Sequence, residues 1–216
     1  MSPRRRLGGI ARRESILEVA LAEFAASGYE RTRVAEIASR VGVTEPVVFQ
    51  NFGTKGDLFA AVLERAADHL AAHLEVLGRE TASVVDLLRH LLAPAHQDRM
   101  HRRGGLGVLF IEAAASSDPQ MKRALQRAHA RAAQAIAGLL RRGQIEGSVR
   151  ADVDLVALAW LVLSQLHGRQ FRRAHGKSSP SLEDDLLRGL FDALAPRSLA
   201  SRPRATLNPG LRHSVG

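Results

Sequence analysis

Apolar residues recur at three- and four-residue steps along most of this 216-residue chain, and glycine or proline interrupts each run. That period belongs to an α-helix with one buried face, and the two-residue alternation of a half-buried strand is missing. The chain therefore predicts an all-α fold. The first stripe, Ile16, Leu17, Ala20, Leu21 and Phe24, opens a helix near Arg12. Gly28 closes it, because glycine takes the left-handed C′ conformation cheaply. Ahead of it, residues 1–11 read as a flexible basic arm, with Pro3, Gly8 and Gly9 breaking any helix.

Two short helices follow. Val34, Ile37, Ala38 and Val41 make the first, stopped by Gly42. Thr44 is placed as the N-cap of the second, and Pro46 sits in its first turn, where a missing N–H costs nothing. Val48, Phe49 and Phe52 form its inward face, and Gly53 ends it. Such a pair meets the specification of a DNA-reading helix-turn-helix: a brace helix, a turn of three or four residues, and a short amphipathic helix whose N-terminal residues can reach base edges. Thr54 caps a longer helix striped by Leu58, Val62, Leu63, Ala66, Leu70, Leu74 and Leu77. Further helices are predicted at about 83–97, 104–116, 119–143, 152–174 and 181–194, with breakers between them. The tail from residue 196 carries arginines, prolines and no acid, and reads as disordered.

Charge and composition narrow the function. Net charge is +9, which favours an acidic partner, nucleic acid before an anionic membrane. Residues 57–196 hold 18 Lys and Arg against 16 Asp and Glu, so the surplus lies at the two ends. A non-specific architectural DNA binder, the alternative reading, would spread its basic residues over a long surface. Cysteine is absent, which removes thiol nucleophiles and thiolate metal sites and suits a reducing cytoplasm. No secretory leader is expected, and no membrane span either: the apolar run from Leu155 to Leu163 is too short. Phosphate-binding glycine loops, nucleophile elbows and zinc-protease motifs are all missing, so no enzyme and no cofactor is expected. His69 and His73 have zinc-compatible spacing, but no third ligand is placed beside them.

Residues 12–63 resemble the TetR family of transcriptional regulators. The matching words are Gly28-Tyr29, Thr32, Val34-x-x-Ile37-Ala38, Val41-Gly42-Val43-Thr44, Phe49-x-x-Phe52 and Thr54-Lys55-x-x-Leu58-Phe59. The resemblance implies an N-terminal three-helix helix-turn-helix domain at 12–56 and a C-terminal helical ligand-binding and dimerisation domain at 57–195. It implies a homodimer that reads a palindromic operator on double-stranded DNA, usually as a repressor released by a small molecule. Carried over by position, Thr44, Pro46, Val47, Gln50 and Asn51 face DNA. Gln50 can pair with an adenine edge, and Pro46 and Val47 can touch a thymine methyl. Thr32, Arg33 and Lys55 fall where family members grip phosphate. The bland alternatives are an idle surface amide at Gln50 and plain solvated charge at Lys55. The chain departs from the family at Phe49-Gln50, Val47 and Glu45, which bears on the operator sequence.

Within the larger domain, Leu155, Leu158, Val162 and Leu166, together with Leu182, Leu186, Leu190 and Leu194, stripe two helices suited to a four-helix dimer interface or to an internal core. Met100, Phe110, Trp160, Leu106, Met121 and Phe171 are candidate walls of an effector pocket, with Glu112, His129, Gln165 and His167 as candidate polar handles. A pocket so lined would take a small apolar effector.

Overall fold

The computed structural model describes residues 8–80, 83–101 and 106–196, which form ten α-helices and, among the described residues, no strand. They are α1 (Gly9–Ser27), α2 (Val34–Val41), α3 (Glu45–Phe52), α4 (Lys55–Glu80), α5 (Val84–Leu92), α6 (Pro94–Met100), α7 (Gly107–Ala115), α8 (Pro119–Ile145), α9 (Leu155–Ala174) and α10 (Pro180–Leu194). Residues 1–7 of the arm expected at 1–11, the glycine-arginine stretch at 102–105, and residues 197–216 of the tail expected from 196 lie outside the described residues.

Local chemistry explains most boundaries. Ser83, Asp118, Asp154 and Ser179 each accept a backbone N–H of the first turn that follows them. Pro94, Pro119 and Pro180 stand at the first positions of α6, α8 and α10. Two expectations need correction. Helix α1 begins at Gly9, not near Arg12, because Gly8 takes extended geometry and its carbonyl accepts the Arg12 N–H. The single helix expected at 83–97 is two. Pro94 pushes Ala93 out of helical geometry, to φ −57° and ψ 135°, and the chain turns there.

Helices α4 and α8 are the long elements, and they lie side by side. Three polar pairs tie them: Asp57 with Gln120, Glu64 with Arg127, and Asp68 with Arg131. Each pair is separated by 63 residues. A constant separation requires that the two helices run in the same direction, so the chain must return to the start of α4 through α5, α6 and α7 before α8 can form.

Two apolar cores share this α4–α8 shaft. The first joins Ile16, Ala20 and Phe24 of α1, Ile37 and Ala38 of α2 and Val48 of α3 to Leu58, Phe59, Val62 and Leu63 of α4. It continues into Leu109 and Ala113 of α7 and Met121 and Ala124 of α8. Phe59 sits edge-on to both Phe24 (4.9 Å) and Tyr29 (5.0 Å). The second core joins Leu74, the buried faces of α5 and α9, the second half of α8, and Leu190, Phe191 and Leu194 of α10.

Packing at the far end of α8 is tight. A Cβ placed at Gly143 would meet Val149 Cγ2 at 2.5 Å and Val84 Cβ at 3.3 Å. Glycine to alanine inside a helix ordinarily gains about 1 kcal/mol through propensity. Here overpacking reverses the sign, and Gly143→Ala should lose about 1–3 kcal/mol of stability in urea denaturation.

Candidate nucleic-acid interface and internal cavity

The turn between α2 and α3 is set by Gly42, which sits at φ 81° and ψ 31° and donates its N–H to Ala38 O. Val43 N–H bonds the same carbonyl, so α3 leaves at a fixed angle. Thr44 occupies the N-cap position, yet its side chain makes no capping bond, leaving that hydroxyl outward. Val48 and Phe52 bury the inner face of α3. Thr44, Pro46 and Gln50 are exposed, and Val47 and Asn51 are half-buried beside them. Asn51 donates its amide to Val47 O at 2.7 Å. Phe49, expected in the core, is 37% exposed and borders the outward face. Its neighbours Val48 and Phe52 already fill the space beneath.

Cations surround this face. Arg33, the N-cap residue of α2, is exposed. Lys55 lies over the Tyr29 ring at 4.6 Å and donates to Glu30 O at 3.2 Å, which parks its ammonium on the α1–α2 loop. Arg13 lies over the Phe52 ring at 4.2 Å. Thr32 is not part of the surface. It is 2% exposed, and its hydroxyl donates to Gly28 O at 2.7 Å. The position expected to touch phosphate is therefore a loop brace: the Thr32 N–H and hydroxyl both donate to Gly28 O and close the loop after α1.

Between α4, α5, α6, α7, α8 and α9 lies a cavity of about 100 Å³ whose walls are almost wholly apolar. Met100, Phe110, His129 and His167 line it, as do Leu106, Gln97, His96 and His101. Phe110 stacks on His129 at 5.6 Å, and His167 meets His129 edge-on at 4.9 Å. Two residues expected here are not wall residues. Trp160 is 43% exposed and does not line the cavity, and its ring stands behind the wall, edge-on to His129 at 6.5 Å. Glu112 points toward the α1–α2 loop and accepts the Tyr29 N–H at 2.6 Å. Met121 belongs to the first core, Phe171 is exposed, and Gln165 does not reach the cavity wall. Gln97, His96 and His101 are wall residues that the sequence pattern does not point to. The break at Pro94 resets the helical phase, so no stripe through residues 83–101 places them inward.

Burial drives the His129 pKa down from 6.5 to about 4, and repulsion from His167 adds to this. An unfolded histidine takes up its proton near 6.5, whereas this one waits until about 4. The unfolded chain therefore binds more protons between those values, and the stability present above pH 6.5 is lost as pH falls through that window. His96 and His101 are depressed by burial in the same sense. Urea denaturation at about pH 7 and about pH 5 should show that loss in the wild type, and His129→Phe should show a smaller one.

Comparison with known proteins agrees with this architecture. The model of bacterial regulatory proteins of the tetR family matches residues 16–62, from α1 into α4. The HTH-type transcriptional repressor Rv1474c of Mycobacterium tuberculosis is 30% identical over 173 residues, covering 80% of this chain and 87% of that protein. The nucleoid occlusion factor SlmA of Shewanella frigidimarina is 26% identical over 182 residues, covering 82% and 90%. Among solved structures, the regulator FadR of Bacillus subtilis, in complex with stearoyl-CoA, superposes with a TM-score of 0.62 at 15% identity, covering 84% of this chain and 98% of that one. With a repressor relative at this identity over most of its length and the family pattern spanning the helix-turn-helix, the chain belongs to the TetR family of bacterial regulatory proteins.

Proposed function

We propose that this protein is a cytoplasmic, homodimeric transcriptional repressor that reads a palindromic operator through α3 and releases it when a small apolar effector enters the α4–α9 cavity. Residues 12–56 act as the DNA-binding domain and 57–195 as the effector and dimerisation domain. Helix α7 carries the reading. Its Phe110 lines the cavity, and two residues on, Glu112 holds Tyr29 at the start of the α1–α2 loop. That loop ends at Arg33, the N-cap of α2, and α2 braces α3. A molecule that displaces Phe110 thus pulls on the reading head, provided it binds the displaced state more tightly than the resting one.

Dimerisation is supported by a face the fold leaves open. Val156, Trp160, Leu161 and Phe171 of α9 and Leu182 of α10 are large, apolar and exposed. Gly189 extends this face along α10, with open space where a Cβ would stand. Apolar exposure on this scale marks an interface, and a two-fold pair of α9–α10 hairpins buries it in a four-helix contact. Replacing Val156 and Leu161 together by Glu should leave a folded monomer in sedimentation experiments, with operator binding weakened to that of one half-site.

On the DNA side, Gln50, Pro46, Val47 and Thr44 supply base contacts, while Arg33, Lys55 and Asn51 position the backbone. A selection from random duplex DNA at moderate salt tests the whole reading, and one short inverted repeat is the expected product. Similarity to a nucleoid occlusion factor favours a second reading, a DNA binder acting on the nucleoid instead of on a promoter. Retained DNA without a common motif would support that reading, in its non-specific form. Gln50→Ala should weaken the selected operator by about 1–3 kcal/mol and leave random DNA unchanged. Arg33→Ala should weaken both alike and lower the salt dependence.

A further inference from the structure

We infer that the cavity is built for a neutral apolar molecule that carries a hydroxyl group, such as a phenol, and discriminates against anions and cations of the same shape. The inference rests on the proposed role of the cavity as the effector site and specifies its chemistry.

The polar atoms of the wall carry the argument. Gln97 is 2% exposed, and its amide nitrogen donates to Leu92 O at 2.9 Å. That bond fixes the orientation of the amide, and the carbonyl oxygen, Oε1, has no hydrogen-bond partner among the described residues. An amide oxygen can only accept. His101 Nδ1 lies 2.8 Å from Gln97 O, and His167 Nδ1 lies 2.9 Å from Leu163 O. Only an N–H can face a carbonyl at that distance, so in each neutral ring Nε2 is left as an acceptor. His129 Nε2 is also buried and unpartnered among the described residues; burial holds that ring neutral, so its Nε2 adds one further polar atom, an acceptor or an N–H according to the tautomer.

Among the described residues, the wall thus offers the acceptors Gln97 Oε1, His101 Nε2 and His167 Nε2 and, beyond its apolar side chains, no lysine, arginine or carboxylate. A buried acceptor without a donor is costly, so a guest that brings an O–H recovers that loss. A carboxylate would set its oxygens against these acceptors. An ammonium would bring donors, but its charge would enter an apolar chamber with no counter-ion. An ether of the same shape would fill the chamber and leave the acceptors unmet.

Four probes of one skeleton separate these cases: para-propylphenol, para-propylanisole, para-propylbenzoate and para-propylbenzylamine, titrated calorimetrically into the full chain at about pH 7.5, where the phenol is neutral and the last two are charged. Para-propylphenol should bind on the order of tenfold more tightly than the anisole, with no saturable heat from the charged pair. Gln97→Leu and His129→Phe, each alone, should remove much of the preference for phenol while the anisole binds as before. The two variants keep the test open should one fail to fold. Equal binding of phenol and anisole, or tightest binding of a charged probe, would overturn the inference and leave the cavity standing as an effector site. Silence from all four would overturn the inference and remove the cavity from the proposed function as well.

Discussion

The side-by-side pairing of α4 with α8 is the constraint on which the rest of the fold depends. Both cores are built against this pair, and neither closes without it. The ion pairs Glu64–Arg127 and Asp68–Arg131 are exposed, and each contributes at most about 1 kcal/mol. Their consequence is register. They fix which turn of α4 faces which turn of α8, and so which residues of α8 reach the first core and which the second. Because the two helices run the same way, α5, α6 and α7 must carry the chain back between them, and the cavity forms inside that return.

The cavity and the DNA-facing surface are therefore parts of one construction. Met121 and Ala124 of α8 pack beneath the three N-terminal helices, and about a turn further on His129 lines the cavity. Helix α7 makes the same span in a shorter distance, from Phe110 in the cavity to Glu112 on Tyr29. The apolar packing of α1 to α4 extends into α7 and α8 without a gap. Under the proposed function, a change in the cavity wall would reach the N-terminal helices through close-packed side chains, which yield by shifting between discrete arrangements and not by compressing.

Much of this was legible in the sequence where the signal is local. The helix-turn-helix is marked by Gly42, Thr44, Pro46 and the Val34–Ile37–Ala38 stripe, all within twenty residues. The ends of α8, α9 and α10 follow from caps and prolines that act on the adjacent turn. What the sequence could not place depends on partners far along the chain. Thr32 reads as surface until Gly28 O is seen to claim its hydroxyl. Glu112 reads as a polar handle for a pocket, and only the fold sets it against Tyr29, 83 residues away. Trp160 looks like a pocket wall because aromatic residues are usually buried, but α9 turns Leu158, Ala159, Val162 and Leu163 inward and leaves Trp160 43% exposed, touching the cavity only through its edge contact with His129. Gln97 is hidden for a further reason: Pro94 breaks the helix before it, and a periodicity carried across that break assigns it to the wrong face.

The Glu112–Tyr29 contact also has a suitable magnitude for a switch. A hydrogen bond from a backbone N–H to a carboxylate contributes about 1.5–3 kcal/mol. Coupling energies between an effector and a second site are usually about 1–3 kcal/mol. Under the proposed function, one such bond, made in the resting state and broken on effector binding, would account for coupling on that scale without any large motion of the cores. The surroundings favour that role for this bond over the surface ion pairs. Gly28, at φ 82°, lies directly against the Glu112 carboxylate, leaving no room for a side chain there. The same loop is also held at Gly28 O by the buried Thr32 hydroxyl and at Glu30 O by Lys55. Losing Glu112 from Tyr29 therefore removes the tie between α7 and the loop whose far end is the N-cap of α2, with Thr32 and Lys55 still bracing that loop, whereas losing an exposed pair on the α4–α8 shaft leaves both cores packed as before.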